Sequence, residues 1–250
     1  MNDFVKKYWK TILFFALAGL IGGFFIGMYL LDSYPEEIRQ QITEQGINNF
    51  LMGLITAVQS AGYGLVLGTV GILLGKKTGL WKDERKLEKK PLIRTAVVAI
   101  LSGLLLILQD LLFFGNYSVT IRDSYTVKPT VSYILASVVY GGVIEEVMLR
   151  LFTMSLLAFL LQKLFRKEIA TVGILIAANV IAALLFAAGH LPTTAMLMGI
   201  SPLIIFRCFL LNGGFGLLFG WLYRKYGLRY AMLAHSGCHV VSKLIWILFV

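Results

Sequence analysis

The chain alternates long apolar runs with short polar and charged segments. Each run has about 20 residues, the length that a helix needs to cross the hydrocarbon core of a bilayer. Seven runs predict seven transmembrane helices, at about Thr11–Leu31, Phe50–Gly75, Leu92–Phe114, Val131–Leu161, Ile169–His190, Pro202–Tyr223 and Tyr230–Val250. The predicted fold is therefore an all-α, polytopic membrane bundle. An eighth span is the alternative if the uncharged connection Leu191–Ser201 dips into the membrane.

Composition excludes an ordinary soluble domain. Hydrophobic residues make up 58% of the chain and charged residues only 14%, whereas a soluble domain carries roughly 25% charged residues. The formal net charge of +10 would suggest nucleic acid in a soluble protein. Here the basic residues lie in the loops between spans, so we expect the lipid bilayer, and no nucleic acid, as the partner. The oligomeric state is left open.

The basic residues are distributed unevenly between the two sides of the predicted bundle. Of 23 Lys and Arg residues, 17 precede the first span or follow spans 2, 4 and 6, and three lie in the opposite loops. By the positive-inside rule, the N-terminus is cytoplasmic and the C-terminus lies outside the cell membrane. The basic loops and the scarcity of cysteine are typical of a bacterial protein. Cys208 and Cys238 both fall inside spans and form no metal-type pair.

Three charged residues interrupt the fourth span. Glu145, Glu146 and Arg150 lie within an otherwise apolar segment, where each charge costs at least ~2.5 kcal/mol and is retained mostly for function. Glu146 and Arg150 are four residues apart, so they share a helix face and can pair. Glu145 points away from that pair and is the freer carboxylate. A carboxylate in a low-dielectric site is a candidate general base.

The chain has three histidines, and all of them lie in or at the edge of predicted spans. Phe186 precedes His190 by four residues, so its ring is expected to pack beside the imidazole. His235 and His239 have the same spacing and project side by side. Together with the charged residues of span 4, the histidines predict one polar site within the membrane.

A zinc ion is an open alternative for this site. Glu145, His190, His235 and His239 have donor types that suit zinc. The His-x-x-x-His spacing also occurs in zincins, but a glutamate follows their first histidine, whereas Ser236 follows His235. No cofactor is assigned with certainty, and Zn²⁺ remains the candidate.

A common site is in tension with the simplest topology. His190 would lie near the outer end of span 5 and His235 near the inner end of span 7. Either span 5 starts deeper, or the connection after His190 lies within the membrane, or spans 6 and 7 are shifted. Among the other charges within spans, Arg207 either caps the bundle interior or pairs with Asp110. Lys243 has no assignment.

The motifs together resemble a known family. Glu145-Glu146-x-x-x-Arg150, Phe186-x-x-x-His190 and His235 with a polar residue four positions later are similar to the CAAX protease and bacteriocin-processing family of intramembrane endopeptidases. That family is related to the type II CAAX prenyl endopeptidase. The resemblance covers about residues 131–243 and separates N-terminal helices (residues 1–130) from a catalytic core (residues 131–250) within one integral membrane domain.

The resemblance implies six catalytic residues: Glu145, Glu146, Arg150, His190, His235 and His239. Glu145, helped by His190, would activate a water to attack a peptide carbonyl, and His235 and His239 would stabilise the oxyanion. The expected substrate is a peptide or membrane-associated protein, in peptide maturation, bacteriocin or pheromone processing, or self-immunity. The family commonly has Asn or Asp where this chain has His239. That departure favours the alternative of a non-catalytic immunity or regulatory scaffold, and the metal dependence is left open.

Overall fold

The computed structural model describes residues 3–82 and 86–250, and over these two ranges the chain forms helices and no strands. In chain order they are α1 (Asp3–Ser33), α2 (Glu36–Glu44), α3 (Asn49–Thr78), α4 (Lys89–Tyr117), α5 (Val119–Asp123), α6 (residues 131–164), α7 (Val172–Met198), α8 (Pro202–Tyr226) and α9 (Leu228–Phe249). Side-chain oxygens cap several helix starts; Asn48, Thr171 and Ser201 accept from backbone N–H groups of α3, α7 and α8. The predicted all-α class is confirmed.

Among the described residues, six helices are long and apolar enough to cross a membrane, namely α1, α3, α4, α7, α8 and α9. The protein is therefore a multi-pass integral membrane protein. Apolar side chains such as Val58 (70% exposed) and Leu112 (71% exposed) point away from the bundle, as expected for surfaces that face lipid tails. The fourth predicted span, Val131–Leu161, corresponds to α6, which is not among these six helices, and the count of seven stays a prediction.

Helix α6 is continuous but does not have α-helical hydrogen bonding throughout. Its ends are α-helical, whereas Ala136–Glu145 and Val147–Met154 form π-helical turns. Shorter π-helical turns occur at Asp110–Phe114 in α4 and Phe209–Gly213 in α8. Such i→i+5 turns are rare and occur frequently at functional sites. The charged residues of predicted span 4 lie within or directly beside these turns.

Glycines allow α1 and α3 to cross in close contact. A Cβ atom at Gly19 would lie 2.4 Å from the Ser60 carbonyl oxygen, and one at Gly27 would lie 2.1 Å from Thr56 Oγ1. The Thr56 hydroxyl donates across the crossing to the Gly23 carbonyl oxygen at 2.7 Å. Small residues at such spacing let helix backbones approach closely in membranes. This pair packs against α6, which also contacts α7 and α9.

The predicted end of span 5 at His190 is wrong. Helix α7 continues through Pro192 to Met198, so only residues 199–201 connect it to α8. Proline removes one backbone donor, and membrane helices tolerate that loss because neighbouring groups satisfy the freed carbonyl. His190 is eight residues before the helix end, or ~12 Å along the axis. Because of this extension, His190 lies within α7 and not at its end. Much of the conflict between the predicted positions of His190 and His235 and a common site is thereby removed.

Asp110 and Arg207 form an ion pair that joins α4 to α8. Arg207 Nε donates to Asp110 Oδ1 at 2.6 Å, and Arg207 Nη2 also donates to Oδ2. Tyr125, in the segment between α5 and α6, donates to Oδ2 at 2.8 Å. Burial and the Asp110 carboxylate raise the pKa of the Tyr125 hydroxyl, so it remains a donor at neutral pH. Of the two alternatives for Arg207, the structure selects pairing with Asp110.

Candidate active site

The two adjacent glutamates of α6 occupy different environments. Glu146 is fully buried, whereas the Glu145 side chain keeps 19% of its surface exposed. Glu145 ends one π-helical stretch, and the next stretch begins directly after Glu146. The division expected from the sequence is therefore present, with one carboxylate buried in a charged network and the other accessible.

Glu146 contacts two nitrogen donors, one from its own helix and one from α9. Arg150 Nη1 forms an ion pair with Glu146 Oε1 at 3.3 Å, as the four-residue spacing predicted. His235 Nδ1 lies 2.9 Å from the same oxygen and donates to it. This second contact joins α9 to α6 and was not predicted. With Nδ1 of His235 facing Glu146, the Nε2 atom on the other side of the ring faces Glu145.

Aromatic rings enclose the Arg150 and His235 side chains. The Arg150 guanidinium lies 5.0 Å from the Phe186 ring centre and 5.8 Å from the Phe219 ring centre. Phe219 also stacks on the His235 imidazole, with ring centres 4.7 Å apart. Arg150 Nη2 donates to the Gly216 carbonyl oxygen at 3.2 Å. These contacts hold the network rigidly, and the sequence offered no signal for Phe219 beyond its place in an apolar run.

His190 reaches the site from α7. Its Nδ1 atom lies 2.9 Å from the Phe186 carbonyl oxygen one turn earlier, so Nδ1 donates to that carbonyl. The Phe186 ring packs edge-on against the imidazole, with centres 4.5 Å apart, as predicted. His190 Nε2 then lies 3.9 Å from Glu145 Oε1. On the other side, His235 Nε2 lies 3.9 Å from Glu145 Oε2.

The third histidine, His239, completes the cluster. Its ring stacks on His235 with centres 5.0 Å apart. Its Nε2 atom lies beside Gly141, where an added Cβ would be 3.1 Å from that nitrogen and 3.8 Å from Glu145 Oε2. Its Nδ1 atom is buried and has no hydrogen-bond partner within the described ranges. The structure therefore brings all six predicted site residues together, and their catalytic roles stay predictions.

The glycines before the glutamate pair permit this assembly. A Cβ at Gly142 would lie 1.9 Å from Ser236 Oγ, which is far inside van der Waals contact. The Ser236 hydroxyl donates to the Val138 carbonyl oxygen at 2.9 Å and so binds α9 to α6. The sequence contained a possible signal for this contact, since Gly141 and Gly142 directly precede the charged residues in span 4.

A buried cation lies one helical turn beyond His239 on α9. Lys243 is only 6% exposed, and its Nζ atom lies 4.0 Å from the Tyr133 ring centre and 5.3 Å from the Trp246 ring centre. Within the described ranges, its recorded contacts include no ion pair with a carboxylate. A cation–π contact stabilises a buried cation by only about 2 kcal/mol. This is less than the several kcal/mol that burial of an ion such as the Lys243 ammonium costs.

The polar cluster does not form a metal site as it is placed. Over residues 3–82 and 86–250, no group of three or more His, Cys, Asp or Glu side chains is arranged to hold a metal ion. Donor atoms bound tetrahedrally to zinc at ~2.1 Å lie ~3.4 Å apart. The separations from Glu145 to His190 and His235 are 3.9 Å. The residues therefore do not fit zinc in this arrangement, and zinc dependence stays an untested prediction.

Comparison with known proteins identifies one matching family. Residues 127–241 match the family model described as type II CAAX prenyl endopeptidase Rce1-like. The matched range includes all six site residues and ends before Lys243. No curated protein and no solved structure matches the chain.

Proposed function

Because the chain belongs, through residues 127–241, to the CAAX protease family of intramembrane endopeptidases, we propose that it hydrolyses a peptide bond with a water activated by Glu145. One observation carries this proposal. Glu145 is the accessible carboxylate of the cluster, and each of its oxygens faces the Nε2 atom of a different histidine at 3.9 Å. That separation is too long for a direct hydrogen bond, but a water with ~2.8 Å bonds to both atoms can bridge it.

In this mechanism, Glu145 takes a proton from the water, and the resulting hydroxide attacks the peptide carbonyl carbon. The tetrahedral intermediate then collapses, and the proton held by Glu145 passes to the leaving amine. His190 helps to position the water, since its Nδ1 atom is already bonded to the Phe186 carbonyl. The Nε2 atom of His190 therefore accepts from the water when the imidazole is neutral.

His235 and His239 stabilise the negative charge that develops on the carbonyl oxygen. His235 has the Glu146 carboxylate at Nδ1 and the Glu145 carboxylate near Nε2. When Nε2 of His235 carries a proton, it can donate to the oxyanion while Nδ1 donates to Glu146. Arg150 acts through Glu146 and is a positioning residue rather than a catalytic one.

The substrate we propose is a peptide or membrane-associated protein, processed during peptide maturation, bacteriocin or pheromone production, or self-immunity. We place the protein in the plasma membrane of a bacterial cell with a cytoplasmic N-terminus. The uneven distribution of basic residues, 17 against three, supports that orientation.

The test is comparative peptidomics of cells that carry wild type, Glu145→Gln, His190→Ala or Glu37→Gln. Glu37 is an exposed carboxylate on α2 and serves as the matched control. We expect the uncleaved precursor to accumulate with Glu145→Gln and His190→Ala, with processing reduced ~10²-fold or more. Glu37→Gln should behave as wild type, and immunoblots should show equal membrane levels.

A non-catalytic immunity or regulatory scaffold is the second candidate function. The observation that favours it is His239, which stands where the family commonly has Asn or Asp and whose Nδ1 atom has no hydrogen-bond partner within the described ranges. A scaffold requires the fold but not the base. It therefore predicts that Glu145→Gln preserves the cellular phenotype, whereas the endopeptidase loses it. Full processing by both Glu145→Gln and His190→Ala would eliminate the catalytic proposal.

A further inference from the structure

We propose that a basic cavity at one end of the bundle binds the phosphate headgroup of an anionic phospholipid. The cavity has a volume of about 770 Å³ and lies between the N-terminal part of α1, the start of α4 and the turn that joins α8 to α9. Its lining residues within the described ranges include none of the six candidate active-site residues. The proposal therefore goes beyond the proposed endopeptidase function and does not depend on it.

The charge of this basic cavity favours an anion. Its described lining residues include five basic side chains and one acidic side chain, Glu88. The basic residues are Lys10, Lys82, Lys86, Lys225 and Arg229. By sequence, the three segments that contribute them, residues 10–15, 81–91 and 225–232, carry eight basic and three acidic residues, which is a net charge of +5. Cations clustered in a concave site raise the local concentration of anions.

The basic side chains of the cavity are accessible to a ligand. All five are exposed. The Nζ atom of Lys10 lies 5.6 Å from the Trp9 ring centre, and the Nζ atom of Lys225 lies 5.4 Å from the Trp221 ring centre. A cation–π contact orients an ammonium group and leaves its positive charge in place. Lys10 and Lys225 therefore present charges that the phosphate of a headgroup can neutralise.

An apolar wall of the same cavity distinguishes a lipid from a free anion. Phe14 and Leu87 both line it and are 52% and 46% exposed. Phe14 belongs to α1, which is long and apolar enough to cross the membrane, so its exposed ring faces lipid tails. Phe15 and Met232, which are buried, also line the cavity. Exposed cations beside an exposed apolar wall match an amphiphile with an anionic headgroup and hydrocarbon chains.

The cavity lies on the side of the bundle where anionic lipids are expected. Its basic residues precede predicted span 1 or follow predicted spans 2 and 6, so they belong to the 17 basic residues of one side. In the orientation proposed above, this side faces the cytoplasmic leaflet. That leaflet carries a negative surface potential, and basic pockets between membrane helices on this side bind anionic headgroups.

A headgroup in the cavity would stabilise the position of α9. Two hydrogen bonds already connect the lining segments: the Glu88 backbone N–H donates to the Tyr230 hydroxyl at 2.9 Å, and Lys82 donates to the Lys225 carbonyl oxygen. A phosphate bonded to cations of all three segments adds a further connection. Met232 is three residues, or ~4.5 Å along the axis, before His235 on α9. Because a ligand that binds only the folded state stabilises it, lipid binding should raise the Tm.

The experiment measures lipid binding to the purified full-length protein in a neutral detergent by native mass spectrometry. The probes are dioleoyl-phosphatidylglycerol, dioleoyl-phosphatidylcholine and the soluble headgroup analogue glycerol 3-phosphate, each titrated separately. We expect a single phosphatidylglycerol molecule to bind about tenfold or more tightly than phosphatidylcholine. Glycerol 3-phosphate should bind at least ~10²-fold more weakly than phosphatidylglycerol, because it has no acyl chains to place against the apolar wall.

Variants identify the cavity as the site. Lys86→Gln/Lys225→Gln should lower the ratio of affinities for phosphatidylglycerol and phosphatidylcholine to about one, whereas Lys86→Arg/Lys225→Arg keeps the charge and should keep the ratio. The matched control is Lys163→Gln/Lys167→Gln, which removes two exposed charges that do not line the cavity. Like Lys225, Lys163 lies in the last turn of its helix over an aromatic ring, with its Nζ atom 5.7 Å from the Phe159 ring centre. The control should keep the wild-type ratio.

Five results overturn the inference. Equal wild-type affinities for the two lipids would show that the headgroup charge is not recognised. An unchanged ratio in Lys86→Gln/Lys225→Gln, or an equal loss in Lys163→Gln/Lys167→Gln, would show that the cavity is not the site. Glycerol 3-phosphate that binds as tightly as phosphatidylglycerol would assign the cavity to a soluble anion. A hexaglutamate peptide that binds more tightly than phosphatidylglycerol would assign it to an acidic protein segment.

The test does not depend on recovery of one variant. If Lys86→Gln/Lys225→Gln does not reach the membrane, the single variants Lys86→Gln and Lys225→Gln take its place. Each should lower the affinity for phosphatidylglycerol about fivefold, which is the effect of one basic residue near an anionic lipid surface. Wild-type affinity for phosphatidylglycerol in both single variants would overturn the inference.

Discussion

Replacement of Arg150 by methionine tests whether the buried network holds the candidate active site. Arg150 is the ion-pair partner of the fully buried Glu146 and lies between the Phe186 and Phe219 rings. Methionine occupies similar space without the charge, so Glu146 keeps only its bond to His235. Removal of one partner from a buried ion pair typically costs ~3–5 kcal/mol, mostly because the remaining charge has lost its compensation. We expect Arg150→Met to lower the free energy of unfolding by that amount.

The double variant Arg150→Met/Glu146→Gln separates this explanation from simple loss of packing. Glutamine removes the uncompensated charge and can still accept from His235, so the double variant should recover most of the lost stability. The assay is reversible unfolding in mixed micelles, followed by the fluorescence of the chain's four tryptophans. A single-variant cost below ~1 kcal/mol, typical of an exposed ion pair, would refute the reasoning. A double variant as unstable as the sum of its two single variants would also refute it.

Two further predictions concern helix packing and metal dependence. Gly142→Ala should destabilise the protein by ~1–3 kcal/mol in the same assay, because the added Cβ would lie 1.9 Å from Ser236 Oγ. The control is Gly189→Ala, since no atom lies within 4 Å of the Cβ added there. Equal effects of the two substitutions would contradict the close α6–α9 contact. Treatment with EDTA and 1,10-phenanthroline should leave peptide cleavage unchanged, because the described residues contain no arranged metal-ligand group; loss of activity that zinc restores would establish a metal enzyme.

The sequence predicted the membrane helices well because the bilayer admits few solutions. A chain that crosses the hydrocarbon core must satisfy its backbone groups internally, so long apolar runs become helices. The Glu146–Arg150 pair was also predictable, since residues four positions apart meet on any helix. The Phe186–His190 contact follows from the same local rule.

Helix ends and helix type were harder to predict. Pro192 suggested a helix end at His190, yet α7 continues for eight more residues. The π-helical turns of α6 have no simple signature in the pattern of apolar residues. Both features depend on neighbouring helices, which satisfy or reposition backbone groups that an isolated helix would leave unbonded.

By itself, the sequence determined that polar groups lie inside a helical membrane protein and identified which residues they are. The tertiary structure decided how those groups pair. His235 bonds to Glu146 across 89 positions of sequence, and glycines on α6 set how closely α9 approaches. These contacts depend on the relative depth and rotation of separate helices, which packing controls and local periodicity does not encode. For that reason, the sequence identified Glu146 as the paired glutamate and Glu145 as the free one, but only the structure showed Glu145 between two histidines.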